Sequence, residues 1–189
     1  MSDALRASGS SPATTTLVLG GIRSGKSRFA ESLLPTTGPV RYLATGSSVR
    51  DDVSWTQRVD AHRSRRPDHW VTTETTDIAG ELRAGAAVPT LIDDLGGWLT
   101  AVMDARGAWD AGAEAVTVDV DELVHAVATY SSDLVIVSPE VGLTVVPATA
   151  SGRLFADQLG ALNQAVARRC TRVLLVVAGQ PLVIKGAPA

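Results

Sequence analysis

The sequence predicts an α/β protein, a three-layer sandwich with helices on both faces of a largely parallel central sheet. Three observations lead there. Short apolar runs recur with helix-patterned stretches between them, most runs are apolar at every position as strands buried on both faces require, and the first run ends in a glycine-rich turn opening into a helix. At 189 residues the chain suits one domain with a real core: residues 1–15 read as a disordered polar tail and 16–189 as the domain.

Each element has its own warrant. "TLVLG" (16–20) is rich in leucine and β-branched residues and ends in glycine, as a buried strand does. "KSRFAESLL" (26–34) places Phe29, Ala30, Leu33 and Leu34 at helical spacing, with Pro35 to stop it. "VRYLAT" (40–45) reads as a second strand and "SWTQRVDAHRSR" (54–65) as a helix ended before Pro67. "PTLIDDL" (89–95) is a third strand running out into two acids, and "WLTAVMDA" (98–105) is the helix after it. "RGAWDAGAEAVT" (106–117) reads as a surface loop. "DLVIVS" (133–138) and "RVLLVV" (172–177) are buried strands, with the amphipathic helix "GRLFADQLGALNQAVARR" (152–169) between them. No internal repeat and no interdomain linker is visible.

Composition narrows the function. Hydrophobic content of 45% with 20% charge is that of a soluble globular protein, and a net charge of -3 argues against a nucleic-acid-coating surface. A local cationic pocket for a small anion needs no global positive charge. Cys170 stands alone, so no internal disulfide can form, and no apolar run approaches the roughly 18–20 residues of a membrane span. A cytoplasmic protein is expected. The basic residues are lopsided, fifteen arginines against two lysines, Lys26 and Lys185.

One of those lysines lies in the glycine turn. Gly20, Gly25, Lys26 and Ser27 satisfy the phosphate-cradling pattern G-x-x-x-x-G-K-[ST], with Gly21, Ile22, Arg23 and Ser24 between, in the strand-to-helix context it requires. Glycines let successive backbone N–H groups turn inward on phosphate oxygens, and the helix start adds its positive end. Lys26 can reach the β and γ phosphates, and the Ser27 hydroxyl can ligate Mg²⁺. The bland alternative is a plain glycine turn. Such a loop needs an acid at the end of a neighbouring strand for the metal's water shell, and "LIDD" supplies Asp93 and Asp94. The fold predicted is thus that of the P-loop NTPases, RecA-like in plan.

On "SWTQRVDAHRSRRPDHW", Trp55, Val59 and His62 fall at i, i+4 and i+7, and Arg63, Arg65 and Arg66 follow. Alone, His62 would read as a satisfied core histidine. His69 and His125 read as surface residues, the latter beside the Leu123, Val124, Val127 stripe. Trp55, Trp70 and Trp98 could stack on a base or a corrin ring, though packing is the commoner use.

Together, "GGIRSGKSRFAE", "RYLATG", "RVDAHRSRRPDHW" with "TTE", "LIDDLGGWLT", "PEVGLTVVP", "LNQAVA" and "VVAGQPLVIK" resemble the bifunctional adenosylcobinamide kinase/adenosylcobinamide-phosphate guanylyltransferases of cobalamin biosynthesis, from about Leu17 to Lys185. The histidine segment and E-V-G-x-x-[VI]-V-P carry the specificity. The resemblance implies two reactions: ATP or GTP phosphorylates the aminopropanol hydroxyl of adenosylcobinamide, then the histidine matching His62 takes GMP from GTP and passes it to adenosylcobinamide phosphate. It implies nucleotide contacts at Gly20 to Ser27, at Ala44, Thr45 and Gly46, at Arg63, Ser64, Arg65 and Arg66, and at Glu74 and Asp93. It also implies Lys26 and His62 as the catalytic pair, Mg²⁺ on Ser27 and Asp93, and a homo-oligomer, a trimer by expectation. An imidazole, which ordinarily titrates near pH 6.5, is largely unprotonated at pH 7, and neighbouring arginines disfavour its protonation further.

The chain departs from that family at Pro139, where asparagine is usual, at Ala148 and Thr149, where an acid and an amide are, and at Asp94, Gly96 and Gly97. These positions bear on the corrinoid and the kinase step rather than on the nucleotide. Two other readings stand beside this one: a small-molecule kinase in which His62 is structural, and a GTP-binding switch, for which no N-K-x-D base-reading motif is found.

Overall fold

The computed structural model describes residues 12–45, 67–85 and 87–186. The predicted helix over 54–65, with Trp55, Val59 and His62, lies outside the described residues, as do Gly46 and Arg63, Ser64, Arg65 and Arg66.

Among the described residues seven strands form one sheet: β1 (Thr15–Gly20), β2 (Val40–Ala44), β3 (Trp70–Glu74), β4 (Thr90–Asp93), β5 (Leu134–Pro139), β6 (Arg172–Val177) and β7 (Gln180–Lys185). Their order is β3-β2-β4-β5-β1-β6-β7, with every neighbour parallel except the β6–β7 hairpin. The first strand takes in Thr15, and Thr14 is already held, its N–H and hydroxyl on the Asp133 carboxylate at 2.8 and 2.9 Å.

The helices are α1 (Lys26–Ser32), α2 (Ile78–Ala84), α3 (Leu95–Arg106), the single turn α4 (Ala108–Ala111), α5 (Thr117–Thr129) and α6 (Ala150–Arg169). Because strand side chains alternate between faces, each central strand feeds two cores. Val18, Tyr42, Leu91, Val135, Val137 and Val176 pack under α1. Leu17, Leu43, Ile92, Leu134 and Ile136 pack on the other face under α2, α3, α5 and α6. Side-chain oxygens start α2, α3 and α6: Asp77 accepts from Gly80 N–H at 2.8 Å, Asp94 from Gly97 at 2.7 Å and Thr149 from Gly152 at 3.1 Å.

Two corrections follow. The segment 106–117 is not a surface loop: α3 runs to Arg106, then α4 and a 3₁₀ turn (Ala113–Val116) fold back and bury Ala108 and Val116. Gly107 and Gly112, at φ 60° and 90°, supply the breaks that looked like loop signals. The predicted helix over 26–34 ends two residues early, with Leu33 capping it. Sequence reading also missed β3, α2, α5 and β7, with only the Leu123, Val124, Val127 stripe of α5 noted; β7 is an edge strand exposed along its whole length, so burial leaves no pattern on it.

Candidate active site

The carboxyl ends of β1, β4 and β5 and the start of α1 meet at one edge of the sheet. There the loop Gly20–Ser27 curls back on itself: Ser24 N–H donates to Gly21 O at 3.2 Å and Phe29 N–H to Gly25 O at 2.9 Å. Arg23 and Gly25 sit at φ 55° and 91°, so the chain alternates hand and turns its amides toward one concave side, an anion cradle. A side chain at Gly20 would meet the Ser24 hydroxyl and come within 2.8 Å of Val176 O. The turn between β6 and β7 braces the loop from outside, Gly179 N–H donating to Ser24 O at 2.8 Å.

Lys26 and Ser27 leave this loop at the first turn of α1. The Lys26 ammonium donates to Gly21 O at 3.4 Å, which keeps the cation folded against its own cradle. The Ser27 hydroxyl donates to Asp93 Oδ1 at 3.2 Å, and the Tyr42 hydroxyl donates to Asp93 Oδ2 at 2.6 Å. Hard oxygen donors from a helix start and a strand end so close together suit a small divalent cation that keeps most of its ligands from water and phosphate.

Asp94 is enclosed differently. Burial, and after it the charge of Asp93, push its carboxyl above the usual aspartate range, against the pull of Gly97 N–H, Lys26 and Gly96 N–H. Its place is structural, at the start of α3.

Of the other residues expected at the nucleotide, Thr45 is buried and spent on the scaffold: its N–H donates to Asp93 O at 3.3 Å and its hydroxyl to Asp94 O. Ala44 pairs with Glu74 on one side and with Asp93 on the other. Glu74 therefore shares the edge, two strand spacings or roughly 10 Å from the β4 column. His69 and His125 are exposed. Trp98 is packing, buried with its indole N–H on Thr76 O at 2.9 Å, and Trp70 lies against Tyr42 with ring centroids 6.3 Å apart.

Tyr42, Gly179 and Asn163 were not foreseen. Asn163, buried on α6, accepts from the Ser138 hydroxyl at 2.6 Å and donates to Pro139 O at 3.0 Å, pinning the end of β5. Beyond that pin, Glu140 N–H donates to Gly20 O at 3.0 Å. The amide in "LNQAVA" was the available signal.

Two of the departures noted in the sequence, Gly96 and Pro139, face each other. A Cβ on Gly96 would come 2.7 Å from the Pro139 ring, so the smallest residue faces the added ring. Thr149 caps α6, and Arg153 holds the carbonyls of Pro147 and Ala148 at 3.0 and 2.8 Å. Contacts to the backbone thus organise this segment.

A glycine cradle, a lysine, and a serine–aspartate pair at the carboxyl edge of a parallel sheet define a P-loop nucleotide-binding fold. The fold agrees with the solved structure of an ATPase from the type III secretion system of pathogenic bacteria, at a TM-score of 0.54 and 12% identity over 87% of this chain and 51% of that one. The chain belongs to the cobinamide kinase / cobinamide phosphate guanyltransferase family, whose pattern matches residues 16–184. It is 39% identical to the bifunctional adenosylcobalamin biosynthesis protein CobP of Pseudomonas aeruginosa, over 91% of this chain and 98% of that protein. It is 33% identical to the bifunctional adenosylcobalamin biosynthesis protein CobU of Escherichia coli K12, over 89% and 98%. It is accordingly a transferase of cobalamin biosynthesis.

Proposed function

We propose that the chain carries out both steps in one site. The cradle Gly20–Ser27 holds the triphosphate of ATP or GTP through backbone N–H groups, with Lys26 neutralising the β and γ oxygens. In the kinase step the aminopropanol hydroxyl of adenosylcobinamide attacks the γ phosphorus and the nucleoside diphosphate leaves. In the second step a ring nitrogen of His62 attacks the α phosphorus of GTP, pyrophosphate departs, and a phosphoramidate to GMP remains. A phosphate oxygen of adenosylcobinamide phosphate then displaces the imidazole, giving adenosylcobinamide-GDP.

The Ser27–Asp93 contact at the mouth of the cradle is the observation that carries the reading. Those two oxygens would hold Mg²⁺, which when bound withdraws charge from the phosphate oxygens. Arg63, Ser64, Arg65 and Arg66 would line the nucleotide near His62, with Ala44, Gly46 and Glu74 along the same edge. The segment 140–147, beyond the Asn163 pin, would meet the corrinoid. Exposed Leu143, Val145, Val146, Leu182 and Ile184 make an apolar surface that supports assembly, taken here as a trimer working in the cytoplasm.

Incubation with α-labelled GTP tests this. An acid-labile label is expected on the protein, lost in His62→Ala and chased by adenosylcobinamide phosphate. An undiminished label on His62→Ala would move the intermediate elsewhere, and γ transfer with no label at all would leave an ordinary kinase. Light scattering gives the assembly state.

A further inference from the structure

We infer that Tyr42 is a positioning residue for the metal-binding carboxylate, acting through Asp93 to set the divalent-cation requirement of the site. The inference rests on the reading of Ser27 and Asp93 as the cation-holding pair.

Tyr42 lies in the middle of β2, on the face covered by α1, and is only 2% exposed. Strand periodicity puts Asp93 on that same face, two residues past Leu91, the register partner of Tyr42. The phenol therefore reaches diagonally across the β2–β4 pair to Asp93 Oδ2 at 2.6 Å, a distance proper to a hydroxyl on an ionised carboxylate. The other oxygen, Oδ1, is the one facing Ser27 at 3.2 Å. The two carboxylate oxygens thus play separate roles, with Oδ2 anchored in the sheet and Oδ1 presented to the cradle.

The anchor is itself fixed. The Tyr42 ring is seated in the core under α1 and against Trp70, with interplanar angle 34°. A carboxylate held at one oxygen by a buried donor cannot turn freely about its last bond, so the second oxygen stays aimed at the Ser27 hydroxyl. When a hydrated cation is to be shared between Ser27 and the carboxylate, its position is prepared before it arrives. Without the phenol the carboxylate must be ordered at that moment, and binding weakens by the ordering lost.

The test is Tyr42→Phe, which removes one oxygen and keeps the ring. Binding of Mn²⁺ is measured by the electron paramagnetic resonance of the free ion, with protein saturated by a non-hydrolysable GTP analogue. Roughly three- to tenfold weaker Mn²⁺ binding is expected, with analogue affinity in chelator unchanged and the GMP-labelling rate recovered at high Mg²⁺. Trp70→Leu, which loosens packing but spares the hydroxyl, serves as the control and should lower the melting temperature with a smaller change in Mn²⁺ binding. Asp93→Asn separates the two levels of inference. If it weakens Mn²⁺ binding while Tyr42→Phe does not, the role of Tyr42 is overturned and the cation pair stands. If Asp93→Asn and Ser27→Ala both leave Mn²⁺ binding unmoved, the cation site itself is misplaced and the inference falls with it. Weakening of the analogue in chelator as large as that of Mn²⁺ would make Tyr42 a packing residue only.

Discussion

The two lysines stand at opposite edges of the same sheet, and their surroundings differ in kind. Lys26, at the carboxyl edge, makes a 3.4 Å contact with Gly21 O. Lys185, at the amino edge, closes the end of α6, its ammonium on Ala167 O at 2.9 Å, Cys170 O at 2.6 Å and Arg168 O at 3.5 Å. Its neighbours along that edge are as tightly tied: Thr15 N–H and O with the Thr171 hydroxyl, Thr90 with Tyr130, and Tyr130 with Val88 O. The amino edge uses these polar groups to hold the sheet. At the other, the contacts of Lys26 and Ser27, at 3.4 and 3.2 Å, are long ones that a phosphate or a hydrated cation can replace, while Tyr42, Thr45 and Asn163 hold the scaffold around them.

The largest test of that contrast is Lys26→Ala. Removing a cation that meets the triphosphate should lower GMP labelling and phosphoryl transfer by about 10²–10³-fold. Stability should stay within about 0.5 kcal/mol, because so long a contact contributes little to folding. A urea midpoint that falls along with activity would show that the carboxyl edge is also structural.

Gly96→Ala probes the border between nucleotide and acceptor. The new methyl would meet the Pro139 ring at 2.7 Å, so destabilisation of about 1–3 kcal/mol is expected in urea unfolding. Pro139→Ala should relieve it, and the double-mutant cycle should show coupling of about 0.5 kcal/mol or more. Additive effects would mean that the two departures from the family are independent.

Lys185→Met is the mirror of the first experiment. Leaving three helix-end carbonyls without their cation should cost about 1–2 kcal/mol of stability. The KM for GTP should not change. A raised KM would show that the edges communicate through β6 and the turn at Gly179.

What could be seen in the sequence follows the same division. The cradle was legible because phosphate chemistry dictates residue types at fixed spacing; the strand-end acids Asp93 and Asp94 were legible only as a pair, and strand geometry separates them, Asp93 facing Ser27 and Asp94 starting α3. The central strands were legible as apolar runs buried on both faces. β7 was not, since an exposed edge strand has no buried face to imprint a period, and the turn over 106–117 hid its buried Ala108 and Val116 among glycines and polar residues. Tyr42 escaped notice because its partner is 51 residues away, brought near by strand order alone. Thr45 shows the converse: a motif residue whose groups go to the backbone carbonyls of Asp93 and Asp94 rather than toward the cradle.

One further test reads both edges at once. Cys170 lies beside the Lys185 anchor, 2% exposed, and burial pushes its thiol from 9.0 up to about 12, with Lys185 pulling the other way. The folded chain therefore holds this proton more tightly than the unfolded one: the contribution is intact below pH 9.0 and is lost as pH rises toward 12. At pH 8 the native thiol is protonated and covered, so a thiol reagent reacts through an open form. Saturating GTP, at a hundred times its dissociation constant, lowers the globally unfolded population about 100-fold. If labelling slows by that factor, the thiol is uncovered only when the cradle is lost too, and the edges unfold as one unit. If GTP leaves the rate untouched, the α6–β7 corner opens by itself, and the amino edge is locally the weaker one.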